Sequence, residues 1–286
     1  MTQIHNSYPP PKHLLRSLRF EVEHRPDFTS SASMRVGSHL RTIYGNVEIG
    51  ALATLADATG GGLAALAASP GWIATSDLRL HLAGPVRADR IVANGRVLHR
   101  GKSKIVLAVD LESEVGASLG IATMSFSVLQ RRDGNPIMGT ASETARHVFM
   151  PADDDESDHL HDAIGLTRIE DVVGGFESEM TEYVVNTLGA MQGGAVATLA
   201  ATSASSAVQT AIGGDHFVEC VDLVITYLSL GKVGPIHASA VVTQVQDDWG
   251  TARVEIRDSG SENRLMAVVF ATAVRPTSIP TGGPSL

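Results

Sequence analysis

The 286-residue sequence predicts an α+β protein made of two copies of one unit, each a long central helix wrapped by an antiparallel sheet of about five strands. Three observations predict it. Residues 50–57 read GALATLAD and residues 194–201 read GAVATLAA, with six of the first seven positions identical. The order downstream is then the same twice. Asp77-Leu78 follows Asp57 as Asp222-Leu223 follows Ala201, at intervals that differ by one, and each copy then reaches Gly-Pro, at Gly84-Pro85 and Gly234-Pro235. The two phrases start at Gly50 and Gly194, about half the chain apart, which is the mark of a doubled unit.

Each element follows in order. Residues 1–17 form an N-terminal arm. The first repeat, 18–131, opens with a strand somewhere in 18–43. Its helix runs from Gly50 to roughly Ala68, where Leu52, Leu55, Leu63 and Leu66 recur at helical spacing with small residues between them. Small residues let such a helix lie close to whatever wraps it. IATSDLRLHL, RIVANGRVLH, KIVLAVDLE and LGIATMSFSVLQ then read as four strands, rich in β-branched residues and broken by Gly, Pro and charged turns. Residues 132–162 are polar and acidic and read as a linker. The second repeat, 163–276, opens with a strand around Phe176 to Val185. Its helix is followed by strands in HFVECVDLVITYL, IHASAVVTQVQ, ARVEIRD and RLMAVVFATAV. The tail 277–286 is expected to fray.

Composition sets limits on function. Hydrophobic content of 43% supplies a real core, and 31 acidic against 22 basic residues give a net charge of −9, which disfavours a nucleic-acid partner. Cys220 is alone, so no internal disulfide is expected, in keeping with a reducing cytoplasm. The opening stretch MTQIHNSYPPPKHLLRSLRF carries no apolar run of the signal-peptide kind. Residues 49–73 are apolar but hold Asp57, Gly60 to Gly62 and Pro70, so a buried core helix is expected rather than a membrane span. The 11 histidines show no metal spacing, and neither metal nor cofactor is expected.

The layout resembles the hotdog fold, and the start of each helix resembles the phenylacetate-pathway (PaaI-like) type of hotdog thioesterase. That family carries Asn, then His-Gly-Gly six places on, then an aspartate nine places after the His, with Ser or Thr about eighteen positions further along. The second half here has Asn186, then Gln192-Gly193-Gly194, then Ala201 where the aspartate belongs. The first half has Thr42, then Glu48-Ile49-Gly50, then Asp57 in the aspartate position. Thr75 fills the hydroxyl position, and Cys220 stands there in the second half. The resemblance implies a site between the two units, with Asp57 and Thr75 facing Asn186, Gln192 and Gly193. The other junction would pair Thr42, Glu48 and Ile49 with Ala201 and Cys220 and lacks the family's carboxylate. One working site per chain is therefore expected, with acyl-CoA, or less readily acyl carrier protein, as substrate. Further association of chains into a homo-oligomer is also expected.

The residues carry the same chemistry on their own terms. The first N–H groups of a helix are unpaired and sit at the positive end of its dipole, so an N–H at Gly193 can hold a developing oxyanion. Asp57 lies two turns into an apolar helix, where a carboxylate is costly unless it has a use or a partner. It would act as general base or nucleophile, with Thr75 orienting water. Ser76 takes that role if the strand register slips by one. Gln192 can donate through its amide but cannot exchange a proton. Asn186 would orient the Gln192 loop or the substrate carbonyl. Glu48 at a helix start is an ordinary charge–dipole arrangement, though it can also serve the second junction. Cys220 reads as a small core residue.

Two other classes stay open. A hotdog enoyl-CoA hydratase or dehydratase pairs its Asp with a His five positions on, which is Gly62 here. A non-catalytic acyl- or CoA-binding protein would explain the eroded motif.

Overall fold

The computed structural model describes residues 8–131, 143–151, 158–213 and 217–276. The expected tail, 277–286, lies outside them, as do most of the linker and the first seven residues.

The elements run in chain order. A short helix α1 (Leu14–Ser17) leads into β1 (Phe20–His24) and β2 (Thr29–Arg35), and a single 3-10 turn at Ser38–Leu40 precedes the long helix α2 (Ile49–Ala68). Four strands follow: β3 (Trp72–Leu82), β4 (Arg90–Arg100), β5 (Lys104–Ser113) and β6 (Ser118–Leu129). Between the repeats come β7 (Ala145–Phe149) and α3 (Leu160–Ala163). The second repeat holds β8 (Thr167–Arg168), β9 (Phe176–Ser178), α4 (Gly193–Ile212), β10 (Glu219–Tyr227), β11 (Ile236–Val245), β12 (Trp249–Asp258) and β13 (Arg264–Val274). Both long helices have 20 residues.

One 13-stranded sheet carries everything, in the order β7-β1-β2-β4-β5-β6-β3-β10-β13-β12-β11-β9-β8. The two halves mirror one another about the central antiparallel pair β3–β10, where Leu80 faces Leu223 and Leu78 faces Ile225. The repeated Asp-Leu pair therefore marks the seam, and His81 Nδ1 meets Asp222 Oδ2 across it at 2.5 Å. Each repeat contributes six strands, one more than the sequence suggests, because the chain before each long helix supplies a pair.

The helices α2 and α4 are wrapped by the sheet and meet each other near their starts. Ile49–Ala68 has the length and hydropathy to cross a membrane, but most of it is buried in the fold. Gly50 packs on Thr198 and Gly194 packs on Thr54: a methyl on Gly50 would come within 2.9 Å of the Thr198 Cα, and one on Gly194 within 2.8 Å of the Thr54 Cα. Each threonine hydroxyl turns back to its own helix, Thr54 to the Gly50 carbonyl at 2.7 Å and Thr198 to the Gly194 carbonyl at 2.9 Å. The contact is thus hydrogen-bonded within each helix and close-packed between them.

Two parts of the chain depart from the expected layout. The opening strand of the second repeat stops at Ser178 instead of reaching Val185. The backbone beyond it serves other partners: the Tyr183 carbonyl accepts from Leu14 N–H, and the Val184 carbonyl from Gln192 N–H. Within the segment read as linker, β7 pairs with β1 in full register, and Phe149 stacks on Phe20 with ring centroids 4.6 Å apart.

The arm and the end of the linker prove to be equivalent elements. His13 Nδ1 accepts from Leu15 N–H at 3.1 Å, and its Nε2 lies 3.1 Å from the Val185 carbonyl. His159 Nδ1 accepts from His161 N–H at 3.4 Å, and its Nε2 lies 2.9 Å from the Arg41 carbonyl. A carbonyl only accepts, so each ring points an Nε2–H at its carbonyl. Burial holds the His13 imidazole down to about 4, which the Val185 hydrogen bond opposes and nearby Arg16 reinforces. Each histidine precedes one repeat and fastens the loop before the long helix of the other. His-Leu at 13–14 and His-Leu at 159–160 are the sequence trace of this exchange.

The glycine–threonine contact makes a testable prediction. Helix propensity alone favours Gly→Ala by about 1 kcal/mol. Here the added methyl meets backbone, so Gly50→Ala and Gly194→Ala are expected to destabilise by about 1–3 kcal/mol. The measurement is the midpoint of urea unfolding, and a midpoint that rises would contradict the packing described.

Candidate active site

The two helix starts and the two second turns form two junctions, related by the internal symmetry but not alike in chemistry. At the first, Asp57 of α2 faces the start of α4. A side-chain carbon on Gly193 would stand 2.8 Å from Asp57 Oδ2 and 3.2 Å from the Tyr227 hydroxyl, so only glycine lets the backbone approach this closely. Gly193 N–H has no acceptor among the described residues, as the first position of a helix predicts. Thr75 Oγ1 donates to Asp57 Oδ1 at 3.2 Å. Ser76, the register alternative, sits in the bulge of β3 against β6, and its hydroxyl meets Ser127 Oγ at 2.7 Å.

Gln192 is the N-cap of α4. Its Oε1 accepts from Gly194 N–H at 2.6 Å, which leaves the amide NH₂ for other partners. Asn186 Oδ1 accepts from Leu188 N–H at 2.9 Å and from Ala190 N–H at 3.2 Å. Of the two roles expected for Asn186, this geometry serves the shaping of the loop ahead of Gln192. All five expected residues, Asp57, Thr75, Asn186, Gln192 and Gly193, line one cavity of about 540 Å³. Its walls continue along the small face of α2, through Ala58, Gly61, Gly62 and Ala65, to Trp72 and Phe126.

Burial governs the electrostatics. It pushes the Asp57 carboxyl up from 3.8 to about 6, and the Thr75 hydrogen bond pulls the other way without cancelling it. Tyr227 and Tyr8 are both raised, first by burial and then by the nearby Asp57 charge, so both keep their protons as donors. The Tyr227 hydroxyl donates to the Gly193 carbonyl at 3.2 Å and steadies the start of α4. Tyr8 lines the cavity from the N-terminal arm. His24 of β1 also lines it, with its ring against Gly62 and its Nδ1 unpartnered. Burial, helped by His147, lowers that imidazole to about 4. None of these three was singled out from sequence. Tyr227 and His24 sit in ordinary strands, and Tyr8 comes from the arm.

The second junction encloses a cavity of about 600 Å³. Ala201 and Cys220 line it where the first has Asp57 and Thr75, and Glu48 and Ile49 stand for Gln192 and Gly193. Burial pushes the Cys220 thiol up to about 12, and its Sγ donates to the Asp222 carbonyl, so it behaves as core. Glu219 is engaged by Thr42 Oγ1 at 2.5 Å and Asn46 Nδ2 at 2.7 Å. Glu48 does not cap its helix; its carboxylate lies 3.5 Å from His161 Nε2 and 3.9 Å from His159 Nε2.

Two long helices, each wrapped by the antiparallel strands of its own repeat, make the fold a tandem hotdog. Residues 44–119 match the family model of the thioesterase superfamily. No curated protein matches the chain by sequence. Among solved structures, it is similar to a hot dog fold protein of unknown function from Alicyclobacillus acidocaldarius, with TM-score 0.56 and 10% identity over 87% of this chain and 94% of that one. It is similar to an acyl-ACP thioesterase from Bacteroides thetaiotaomicron, with TM-score 0.55 and 10% identity over 86% and 98%. A tesB protein from Mycobacterium avium subs paratuberculosis aligns at TM-score 0.57 and 10% identity over 86% and 93%. The hotdog fold expected from the sequence is thus found, and part of the first repeat is similar to the thioesterase superfamily.

The raised Asp57 carboxyl links stability to pH. The folded state holds the proton more tightly than the unfolded chain, so stability falls as pH rises from about 4 to 6 and stays reduced above it. Asp57→Asn is expected to stabilise the fold by about 2–3 kcal/mol at pH 8 and hardly at all at pH 4. Thermal unfolding at the two pH values measures this, and an equal effect at both would refute the assigned burial.

Proposed function

We propose that the protein hydrolyses acyl-CoA thioesters to free acid and CoA in the composite site between its repeats. Acyl transfer to water is the reaction class that the superfamily match supports. The observation that carries the assignment to this site is the Asp57 carboxylate facing Gly193 across the junction, beside a cavity with room for an acyl group.

In this reading the thioester carbonyl lies at the start of α4. Gly193 N–H holds the developing oxyanion, an effect worth about 3 kcal/mol for one donor, and the Gln192 amide supplies a second donor. Asp57, as the carboxylate, takes the proton of a water that Thr75 orients, or attacks the carbonyl itself. Asn186 holds the loop that positions Gln192. The acyl chain runs along Ala58, Gly61, Gly62 and Ala65. No cofactor or metal takes part. The protein acts in the cytoplasm without nucleic-acid or membrane partners, and the exposed sheet residues Val241 and Phe270 offer faces on which chains associate into a homo-oligomer.

One observation favours the hydratase alternative. The histidine missing at position 62 of α2 has a spatial substitute in His24, whose ring packs against Gly62. Loss of the conjugated absorbance of an enoyl-CoA without thiol release would select that reading, and an acyl-CoA that binds without turnover would select the binding protein.

Hydrolysis predicts free thiol from a panel of acyl-CoA esters. Asp57→Asn is expected to lower kcat by about 10²–10⁴-fold. Gly193→Ala, which forces the helix start away from Asp57, is expected to lower it by about 10²-fold. The wild-type kcat/KM is expected to fall with decreasing pH through about 6, where Asp57 takes up its proton. A rate indifferent to Asp57→Asn on every ester would remove Asp57 from the mechanism.

A further inference from the structure

The single site expected from sequence rests on the loss of a carboxylate at Ala201. The structure places ionisable groups at that junction from two other positions. The first is Glu48, in the position of Gln192. Gln192 spends its side-chain oxygen capping α4, whereas Glu48 leaves α2 uncapped and stands only 13% exposed beside the histidines. As a result neither Ile49 N–H nor Gly50 N–H has an acceptor among the described residues.

The second is His161. It follows His159 as Leu15 follows His13, and both Leu15 and His161 line the cavity of their junction. An apolar wall of the first cavity is therefore an imidazole in the second. Its Nε2 lies 3.5 Å from Glu48 Oε2 and 3.4 Å from the hydroxyl of Thr202, the neighbour of Ala201. The other ionisable groups on this cavity are engaged or set apart. His159 is tied to the Arg41 carbonyl and the His161 N–H, Glu219 is bound by Thr42 and Asn46, Cys220 donates to a carbonyl, and Arg168 stands exposed on β8.

We propose that this junction is a second hydrolytic site for acyl thioesters, in which the Glu48–His161 pair activates water and the first N–H groups of α2 hold the oxyanion. The proposal rests on the reading of the first site. The cavity is as large as the first, about 600 against 540 Å³, and Ile43, Val86, Ala201 and Val218 give it apolar walls for an acyl group. Water adds to the thioester carbonyl carbon while its proton passes to the Glu48–His161 pair. The C–S bond then breaks, the proton goes to the departing thiolate, and the products are one carboxylic acid and one thiol.

The test is thiol release from acetyl-, hexanoyl-, palmitoyl- and phenylacetyl-CoA by wild type, Asp57→Asn, and Asp57→Asn combined with either Glu48→Gln or His161→Gln. Asp57→Asn is expected to keep a rate at least tenfold above the blank on one ester, and each added substitution to remove at least tenfold of that remainder. If Glu48→Gln disturbs the start of α2, as a shifted melting temperature would show, His161→Gln decides, because it alters a ring outside the two repeats' helices. An Asp57→Asn protein at the blank rate on every ester, beside an active wild type, overturns the second site and leaves the first standing. A remainder untouched by both substitutions also overturns it. An inactive wild type overturns both.

Discussion

The contact of Gly50 with Thr198 and of Gly194 with Thr54 is the constraint on which the rest depends. It explains why the chain writes GALATLA and GAVATLA almost identically: each glycine needs the other copy's threonine, so neither copy is free to drift alone. The same close approach sets where the start of one helix lies against the second turn of the other. Asp57 reaches Gly193 because Thr54, one turn before it, is already pressed against Gly194.

Symmetry of packing coexists with asymmetry of charge. The eighth position of the phrase, Asp57 or Ala201, lies beyond the helix contact and faces a cavity, so it is released from the packing rule. The arms differ in the same manner. His13 and His159 make matching hydrogen bonds, while the residues two places on, Leu15 and His161, face cavities and have diverged. Where the repeats hold each other they are alike, and where they face open space they differ.

Much of this was legible in the sequence because the chain contains its own comparison. The first long helix starts within a residue of Gly50, and the resemblance to hotdog thioesterases already sets Asp57 and Thr75 against Gln192 and Gly193. The exchanged arms were not legible. Their trace is two residues, His-Leu, with no periodicity to announce a helix of four. The strand β7 hides in a polar segment because both its faces are largely exposed, so no alternation marks it. Tyr227 and His24 escaped because a strand residue beside a cavity has the same spacing as one beside the core. The early end of β9 depends on backbone partners that come from a distant arm, which no local pattern encodes.

The order of the chain adds a consequence in time. Gly193 follows Asp57 by almost half the chain, and Leu14, which holds Tyr183, is made earlier still. At ribosomal rates of about 5–20 residues per second, the first repeat waits roughly 7–27 s for the helix that covers the start of α2. During that interval a buried-to-be carboxylate and the bare face of an apolar helix stand open to the cell. The nascent first repeat is thus the stage of this protein's life most exposed to aggregation, and the one at which a chaperone has the most surface to hold.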